Sequence, residues 1–211
     1  MSLKADIQGF DISDKSAVIV GCGGLGTNAS VHLAGAGIGR LLLIDFDTVE
    51  ARNLNRQFFY TPADIGQPKC ALLKEKLSAY SPETVVDCHC GRFEESLIAG
   101  YDLVILAVDN IQTRRQVSDC CVKTKTPCVN GSINGFFGTA YLFTPDQAPD
   151  LEAAGCLNDT GVRNLSPSTT AAVIGALEAQ LAVDYFLGKT ESAGKLYIYD
   201  NNEIHTLDIK E

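Results

Sequence analysis

The feature that most restricts the fold of this chain is a glycine-rich segment between two apolar runs. The segment VIVGCGGLG spans residues 18–26, and a second apolar run at 41–44 ends in Asp45. A strand, a glycine turn, a helix and a second strand ending in a carboxylate make up the βαβ unit that binds nucleotides. Its glycines let the backbone approach a phosphate, its helix N-terminus offers free N–H groups, and its carboxylate accepts hydrogen bonds from a ribose. The segment therefore predicts a parallel α/β fold with an adenosine nucleotide at its first turn.

Apolar runs and helical segments alternate along the chain as far as Gly131, which predicts a doubly wound, mostly parallel sheet. The expected strands are 16–20, 40–45, 85–89, 102–108 and 127–130, and the expected helices are 24–36, 67–78 and 110–123. Beyond Gly131 we expect antiparallel strands, namely a long strand at 136–143 and a hairpin about Asn201 and Asn202. The predicted fold class is α/β, a Rossmann-like sheet extended by antiparallel strands in the C-terminal half.

Length and composition predict a single domain over residues 1–211 with its own core, since 45% of the residues are hydrophobic and 20% are charged. The apolar stretch 171–187 contains Glu178, Gln180 and Asp184, so we expect a buried helix and no membrane partner. The segment 144–168 is rich in Pro, Asp, Gly and Asn, and loops of this length are usually functional or disordered.

Charge and cysteine usage narrow the function classes. The net charge of -9 weighs against nucleic acid as a partner, because no basic stretch is available to neutralise phosphates. The N-terminus lacks the pattern of a secretory signal, so a cytoplasmic location is expected. The eight cysteines form no C-x-x-C pair, so we expect reduced thiols and no structural zinc site.

The choice between ATP and a dinucleotide such as NAD rests on the groups that follow the glycine turn. An oxidoreductase needs a proton-transfer residue, and none of the three histidines has an evident partner in the sequence. By contrast, several polar or charged groups occur at places that suit a triphosphate: Asn53, Arg56, Lys69 and Asp109. The sequence therefore favours ATP.

Each charged group in this set has a functional and a structural interpretation. Asp109 lies at the C-terminal end of a predicted strand. The C-terminal ends of the strands line the ligand crevice in open α/β sheets, so Asp109 is placed to bind Mg²⁺. Arg56 and Lys69 can neutralise charge that develops on a phosphate. Alternatively, Lys69 is a solvated helix residue, Arg56 pairs with Asp47 or Glu50, and Asp109 caps the helix that follows it.

Five ordered motifs resemble those of a known family. They are GCGGLG at 21–26, DFDTV at 45–49, NLNRQ at 53–57, GQPK at 66–69, and VDN at 108–110 followed by Arg114. From about Ser16 to Tyr199 the chain is similar to the ThiF/MoeB/HesA family, the bacterial relatives of the ubiquitin-activating enzymes. The resemblance implies an adenylyltransferase that acts as a homodimer. Such an enzyme uses ATP and Mg²⁺ to adenylate the C-terminal glycine carboxylate of a small ubiquitin-fold sulfur carrier ending in Gly-Gly, and releases pyrophosphate.

The same resemblance implies roles for individual residues. The segment 52–56 would lie over the phosphates, Lys69 would reach them, and Asp109 would bind or orient Mg²⁺, so the expected catalytic residues are Arg56, Lys69 and Asp109. The expected ATP-binding residues are Gly21, Gly23, Gly24, Leu25, Gly26, Asp45, Asp47, Arg52, Asn53, Arg56, Lys69, Asp109 and Asn110. Residues 16–131 would form the nucleotide-binding half, and residues 132–211 the half that binds the carrier and forms the dimer.

The sequence also departs from the family pattern. Residues 1–9 contain Lys4 but no arginine to reach the partner subunit's ATP, and Cys156 is what remains of two C-x-x-C zinc pairs. No cysteine lies at 161–167, where a transfer thiol is expected; Cys156 is the nearest substitute, and we expect it to have no chemical role. Two alternatives stay open, a nucleotide-binding adaptor that has lost catalysis and an NAD-dependent oxidoreductase. The motifs do not identify the carrier or its pathway.

Overall fold

The computed structural model describes residues 10–158 and 166–209. The expectations that concern residues 1–9 and 161–165 lie outside the described residues. The strands are β1 (Ser16–Val20), β2 (Arg40–Ile44), β3 (Val85–His89), β4 (Leu103–Leu106), β5 (Cys128–Asn134), β6 (Phe137–Phe143), β7 (Lys195–Asp200) and β8 (Glu203–Asp208). The α-helices are α1 (Gly24–Gly35), α2 (Lys69–Tyr80), α3 (Ile111–Thr124) and α4 (Ser168–Phe186).

These strands form a single sheet in the order β3-β2-β1-β4-β5-β6-β7-β8. The first five strands in this order run parallel to one another, and β6, β7 and β8 continue the sheet in antiparallel pairs, the first of them between β5 and β6. The predicted fold class, a doubly wound sheet with antiparallel strands in the C-terminal half, is confirmed. The order of the parallel strands reverses between β1 and β4, and such a switch point is where ligands bind in open α/β sheets.

Helices cover both faces of the parallel strands. Ile19 of β1 packs in the core that α1, α2 and α4 share, whereas Val18 packs on the opposite face with α3 and the segment 148–157. The central strand is thus buried on both sides, as parallel strands usually are. In the part of the chain that the structure describes, no helix combines the length and the apolar character needed to cross a membrane.

Several element ends differ from the sequence prediction, and two of them have a clear local reason. Helix α2 begins at Lys69 and not at residue 67, because Pro68 takes the N-cap position with an extended ψ of 125° and the residue before a proline disfavours helix. Strand β5 continues to Asn134 and not to residue 130, because it pairs with the whole of β6 across a tight turn at Gly135.

The C-terminal half contains the predicted hairpin and the predicted buried helix. The hairpin turn is confirmed, and Asn201 and Asn202 have φ values of 48° and 65°, as a two-residue turn of type I′ requires. Helix α4 begins at Ser168, three residues before the predicted start at 171. It packs on α1 and on β5 and β6, so the predicted buried helix lies next to the glycine turn.

Candidate active site

The glycine loop, residues 21–26, joins β1 to α1 at the edge of the sheet where the parallel strands end. Gly21 has a φ of 99°, and a Cβ at this position would lie 2.7 Å from the carbonyl oxygen of Ala107. A Cβ at Gly26 would overlap the carbonyl oxygen of Gly21, so both positions require glycine. No side chain caps the start of α1, so its first N–H groups are available to an anion.

Asp45, directly after β2, fixes the glycine loop. Its Oδ2 accepts a hydrogen bond from the N–H of Cys22 at 2.7 Å, and its Oδ1 accepts one from the N–H of Asp47 at 2.7 Å. Burial raises the pKa of the Asp45 carboxyl, and these hydrogen bonds together with the charge of Lys69 offset part of the rise. The sequence predicted that Asp45 lies beside the loop, but not that it holds the loop in place. Its contact with a ribose stays a prediction.

Lys69, the first residue of α2, is buried, with 4% of its surface exposed. Its Nζ lies 3.1 Å from Oδ2 of Asp47, and its backbone N–H donates to the carbonyl oxygen of Asp47 at 3.0 Å. The alternative that Lys69 is a solvated helix residue is therefore wrong. The Asp47 side chain is 49% exposed, so the buried cation has a counter-ion that can turn towards solvent.

Tyr60 joins the glycine loop to α2. Its buried hydroxyl lies 2.9 Å from the carbonyl oxygen of Cys22 and 3.2 Å from that of Lys69, and it donates to these acceptors. Burial raises the pKa of the hydroxyl, which keeps it protonated. No pattern in the sequence indicates this contact, because an aromatic residue in a polar segment resembles an ordinary packing residue.

The segment after β2 contains two arginines in different surroundings. Arg52 is exposed, and its Nε lies 2.5 Å from Oε2 of Glu50. Arg56 is half-buried and donates to Oδ1 of Asn55 at 3.0 Å. A Cβ at Gly24 would lie 3.6 Å from Cγ of Arg56, so this arginine runs alongside the glycine loop. Among the ion pairs of the described residues, Glu50 is taken by Arg52, and the alternative pairing with Arg56 is not observed.

Asp109 lies after β4 and is exposed. Its neighbour Asn110 caps α3, because the Oδ1 of Asn110 accepts a hydrogen bond from the N–H of Thr113 at 2.8 Å. The alternative that Asp109 caps this helix is therefore wrong. An exposed carboxylate at the end of a strand supplies the hard oxygen ligand that Mg²⁺ prefers.

Arg114, in the first turns of α3, holds the segment that presents Asp109. Its buried guanidinium donates to the carbonyl oxygens of Val108 and Gly131 and to Oδ1 of Asn130. Burial lowers the pKa of the guanidinium, but an arginine remains charged in proteins. The sequence motif included Arg114 without assigning it a role, and the structure makes it a positioning residue that ties β4 to β5.

Comparisons with known proteins agree with this geometry. Residues 8–211 match the model of the ThiF family. The chain belongs to the ThiF family. This ThiF-family chain is 32% identical over 212 residues to the molybdopterin-synthase adenylyltransferase of Salmonella typhimurium. The aligned region covers 92% of this chain and 84% of the relative. It is 32% identical over 201 residues to the sulfur carrier protein ThiS adenylyltransferase of Escherichia coli, with 89% of this chain and 78% of the relative covered.

Solved structures share the fold of this ThiF-family chain. Escherichia coli MccB with MccA-N7isoASN has a TM-score of 0.84 and 22% identity over 95% of this chain. PaaA has a TM-score of 0.77 and 19% identity over 93% of this chain. The chain spans 66% of the MccB chain and 72% of the PaaA chain. At this level of identity the likeness concerns the fold alone.

A buried carboxyl borders the ThiF-family site. Glu178, in the middle of α4, has no exposed surface and lies against the backbone of Gly131. Among the residues that the structure describes, neither carboxyl oxygen has a well-formed hydrogen bond. Burial raises the pKa of Glu178 well above its ordinary value, and Arg114 and the Gly131 backbone offset part of the rise. We therefore expect a neutral carboxyl in the folded protein.

The structure gives Cys156 the surroundings of an unreactive thiol. Its side chain is half-buried, and burial raises its pKa to about 11, so little of it is thiolate at neutral pH. The expectation that it has no chemical role stays a prediction.

A cavity of about 460 Å³ lies at the opposite edge of the sheet, where β4 and β5 begin, and none of the predicted site residues lines it.

The sequence-predicted residues therefore fall into two groups. The structure brings the glycine loop, Asp45, Asp47 and Lys69 into one connected arrangement, and it places Arg56 beside the loop. Asn53 is buried in the segment after β2, whereas Arg52 and Asp109 point to solvent with no contact to that arrangement among the interactions described above. Contact of these residues with ATP stays a prediction.

Proposed function

We propose that this ThiF-family chain catalyses the ATP-dependent adenylation of the C-terminal glycine carboxylate of a small ubiquitin-fold sulfur carrier, with release of pyrophosphate. The observation that supports this function most is the buried Lys69, held beside the glycine loop with Asp47 as its counter-ion. A cation in this position suits a triphosphate and has no role in hydride transfer. The relatives named as adenylyltransferases support the same function.

ATP would bind with its phosphates at the start of α1 and its ribose at Asp45. The positive φ of Gly21 turns the chain so that the following N–H groups lie at the N-terminus of α1, where the helix dipole favours an anion. Arg56 runs alongside the loop and is placed to contact the same phosphates. Arg52 and Asn53 belong to the same segment, and Asn110 follows Asp109, so these residues complete the proposed nucleotide site.

A Mg²⁺ ion delivered with ATP fits the carboxylate of Asp109. Such an ion binds through one or two carboxylates together with substrate phosphates, and a single exposed carboxylate provides that ligand. Bound there, it would offset the charge of the phosphates. Arg114 supports this arrangement by fixing the carbonyl of Val108, the residue before Asp109.

The proposed reaction needs charge neutralisation more than proton transfer. A carboxylate oxygen of the carrier's terminal glycine attacks the α-phosphorus of ATP, and the bond from that phosphorus to the oxygen bridging the β-phosphate breaks. Because the carboxylate is already ionised, no general base is required. Arg56 and Lys69 would stabilise the negative charge on the α-phosphate and the leaving pyrophosphate. Lys69 would exchange the half-exposed Asp47 for a phosphate oxygen.

The C-terminal half, residues 132–211, is proposed to bind the carrier and to form a homodimer. Phe136 is 74% exposed, and Ile204 and Leu207 of β8 are each 53% exposed. Exposed apolar side chains of this size support a role of this half in binding other proteins. β8 is also the last strand of the sheet, so its outer edge can take up another chain.

Carrier-dependent exchange of radiolabelled pyrophosphate into ATP tests the proposed function. The full chain is incubated with ATP, Mg²⁺ and a panel of carriers ending in Gly-Gly, and we expect exchange with at least one carrier. A carrier whose terminal glycine is deleted is the matched control and should give none. Tight ATP binding without exchange from any carrier would favour the adaptor, and binding of NAD in place of ATP would favour an oxidoreductase.

A further inference from the structure

Three cysteines that the proposed function does not use meet at the end of β3. Cys88 lies in β3, Cys90 lies one residue beyond its end, and Cys70 is in the first turn of α2. Their Sγ atoms all lie within 4.8 Å of one another, and those of Cys70 and Cys90 are 2.7 Å apart. All three are free thiols. We call Cys70, Cys88 and Cys90 the three-thiol cluster.

Strand periodicity and helix packing build this cluster. Cys88 and Cys90 are two residues apart, so their side chains point to the same face of the sheet. Helix α2 packs on β3, which brings the buried thiol of Cys70 to that face, with its Sγ 3.3 Å from the carbonyl oxygen of Asp45. A C-x-x-C pattern does not reveal the cluster, because the cluster combines a C-x-C pair with a thiol from another element. The expectation of no zinc site considered C-x-x-C pairs alone.

Three thiolates at one place are ligands for a soft cation. Thiolate sulfur selects Zn²⁺ or Cu⁺ over Mg²⁺ and Ca²⁺. With Zn–S bonds of about 2.3 Å, sulfur ligands at the corners of a tetrahedron lie about 3.8 Å apart. This separation is within the 4.8 Å limit of the cluster. The exposed Cys90 would move about 1 Å away from Cys70, from the present Sγ–Sγ distance of 2.7 Å, to reach it. Cys70 is buried, Cys88 is half-buried and Cys90 is exposed, so an ion can enter from solvent.

We propose that Cys70, Cys88 and Cys90 bind a thiophilic divalent cation, Zn²⁺, through three thiolates, with a solvent molecule as the fourth ligand. Zn²⁺ with three thiolates carries one net negative charge. Lys74, one turn after Cys70 in α2, acts electrostatically on Cys88 and would balance that charge. The exposed side of Cys90 leaves the fourth position open to water.

The ion would act as a clamp beside the nucleotide site. Cys70 directly follows Lys69, and its thiol contacts the carbonyl of Asp45, so the metal would tie the first turn of α2 to the end of β3. Lys69 and Asp45 would be held in place by this link. Metal binding does not depend on the adenylation chemistry, because none of the three thiols takes part in the proposed reaction.

Cobalt titration tests the site. The full chain is reduced, stripped of metal and titrated with Co²⁺ without oxygen, and we expect thiolate-to-cobalt charge-transfer absorption that saturates at one equivalent and disappears on addition of Zn²⁺. Cys90→Ser should lose this absorption, and because Cys90 is exposed the variant should fold. Cys156→Ser is the matched control and should bind like the wild type. At a hundredfold excess of Zn²⁺ over its Kd, the Tm of the wild type should rise by about 5–10 °C.

Two results would overturn the proposal. The first is a reduced wild-type chain that shows no charge-transfer absorption, which would leave the cluster as a set of thiols or as a disulfide-forming pair. The second is charge-transfer absorption in both Cys90→Ser and Cys88→Ser that is as strong as that of the wild type, which would place the metal elsewhere. Circular dichroism of each variant separates loss of binding from loss of fold.

Discussion

The two sides of the glycine loop each bury a cation, but they satisfy it differently. On one side Lys69, which is 4% exposed, points its ammonium at the half-exposed carboxylate of Asp47. On the other side Arg114, which is 8% exposed, donates from its guanidinium to two backbone carbonyls and to the side chain of Asn130. We call these the Lys69 side and the Arg114 side.

The difference separates a residue that can act on a ligand from one that holds the scaffold. A lysine with a movable counter-ion can exchange it for a phosphate, whereas an arginine enclosed by backbone acceptors cannot leave them without disrupting the ends of β4 and β5. Because the two residues are buried to a similar degree, burial alone does not distinguish these roles. The hydrogen-bond and ion-pair partners of each residue distinguish them.

The largest expected effect concerns Asp109, which lies on the Arg114 side but points to solvent. Asp109→Ala should abolish carrier-dependent ATP–pyrophosphate exchange, because the carboxylate proposed for Mg²⁺ is gone, while its Tm stays near that of the wild type. Cys156→Ala should leave exchange nearly intact. Exchange at the wild-type rate in the Asp109 variant would overturn the site assignment.

On the Lys69 side, Lys69→Ala should slow exchange by about 10²–10³-fold at saturating ATP, which is typical for loss of one preorganised charge-stabilising group. Lys123 of α3 is exposed and pairs with Glu95, so it offers a control, and Lys123→Ala should exchange normally. If both variants exchange equally well, Lys69 has a structural role and the comparison between the two sides fails.

On the Arg114 side, Arg114→Ala should lower the free energy of unfolding by about 3 kcal/mol, because several buried oxygens lose a charged donor. For a chain of this length that corresponds to a fall in Tm of about 6–12 °C, measured by calorimetry. Arg115→Ala removes the neighbouring exposed arginine, which pairs with Glu152, and should leave the Tm unchanged. Equal Tm values for the two variants would contradict the scaffold role.

The smallest expected effect is on the pH dependence of stability. The raised pKa of Glu178 means that the folded chain keeps a proton that the unfolded chain releases above pH 4.5. Its contribution is therefore fully present below pH 4.5 and is lost as pH rises towards the pKa of the folded state, by up to about 1.4 kcal/mol per pH unit.

Glu178→Gln should remove this slope. Urea unfolding at pH 5, 6 and 7 measures it, and the difference in stability between the variant and the wild type should grow with pH. Glu152 is exposed, so Glu152→Gln is the control. Parallel pH profiles for Glu178→Gln and the wild type would show that the carboxyl ionises freely in the fold.

Local patterns made most of the fold predictable. The strand at 85–89 was predicted with its observed bounds, and the hairpin turn was predicted at its observed place, Asn201 and Asn202, because apolar runs end in turn-forming residues. The end of β5 was not predictable from its own residues, because pairing with β6 determines it. The start of α2 shifted by two residues because Pro68 precedes it.

The candidate site was predictable where a motif lies within one loop and unpredictable where it joins distant elements. The glycine loop and Asp45 follow from a single βαβ unit. By contrast, the contact of Glu178 with Gly131 and the meeting of Cys70 with Cys88 depend on how helices pack on the sheet. Asn110 and Asp109 are both good capping residues, so the sequence alone left the cap of α3 undecided.

The most direct test of the account is the mass of a carrier after incubation with the chain, ATP, Mg²⁺ and inorganic pyrophosphatase, which removes the product that would reverse the reaction. Intact-protein mass spectrometry should show a carrier heavier by one adenylyl group, and no such species with Asp109→Ala. A carrier of unchanged mass, from a panel that includes every Gly-Gly-ending carrier of the source organism and with ATP bound to the chain, would contradict adenylation as the function.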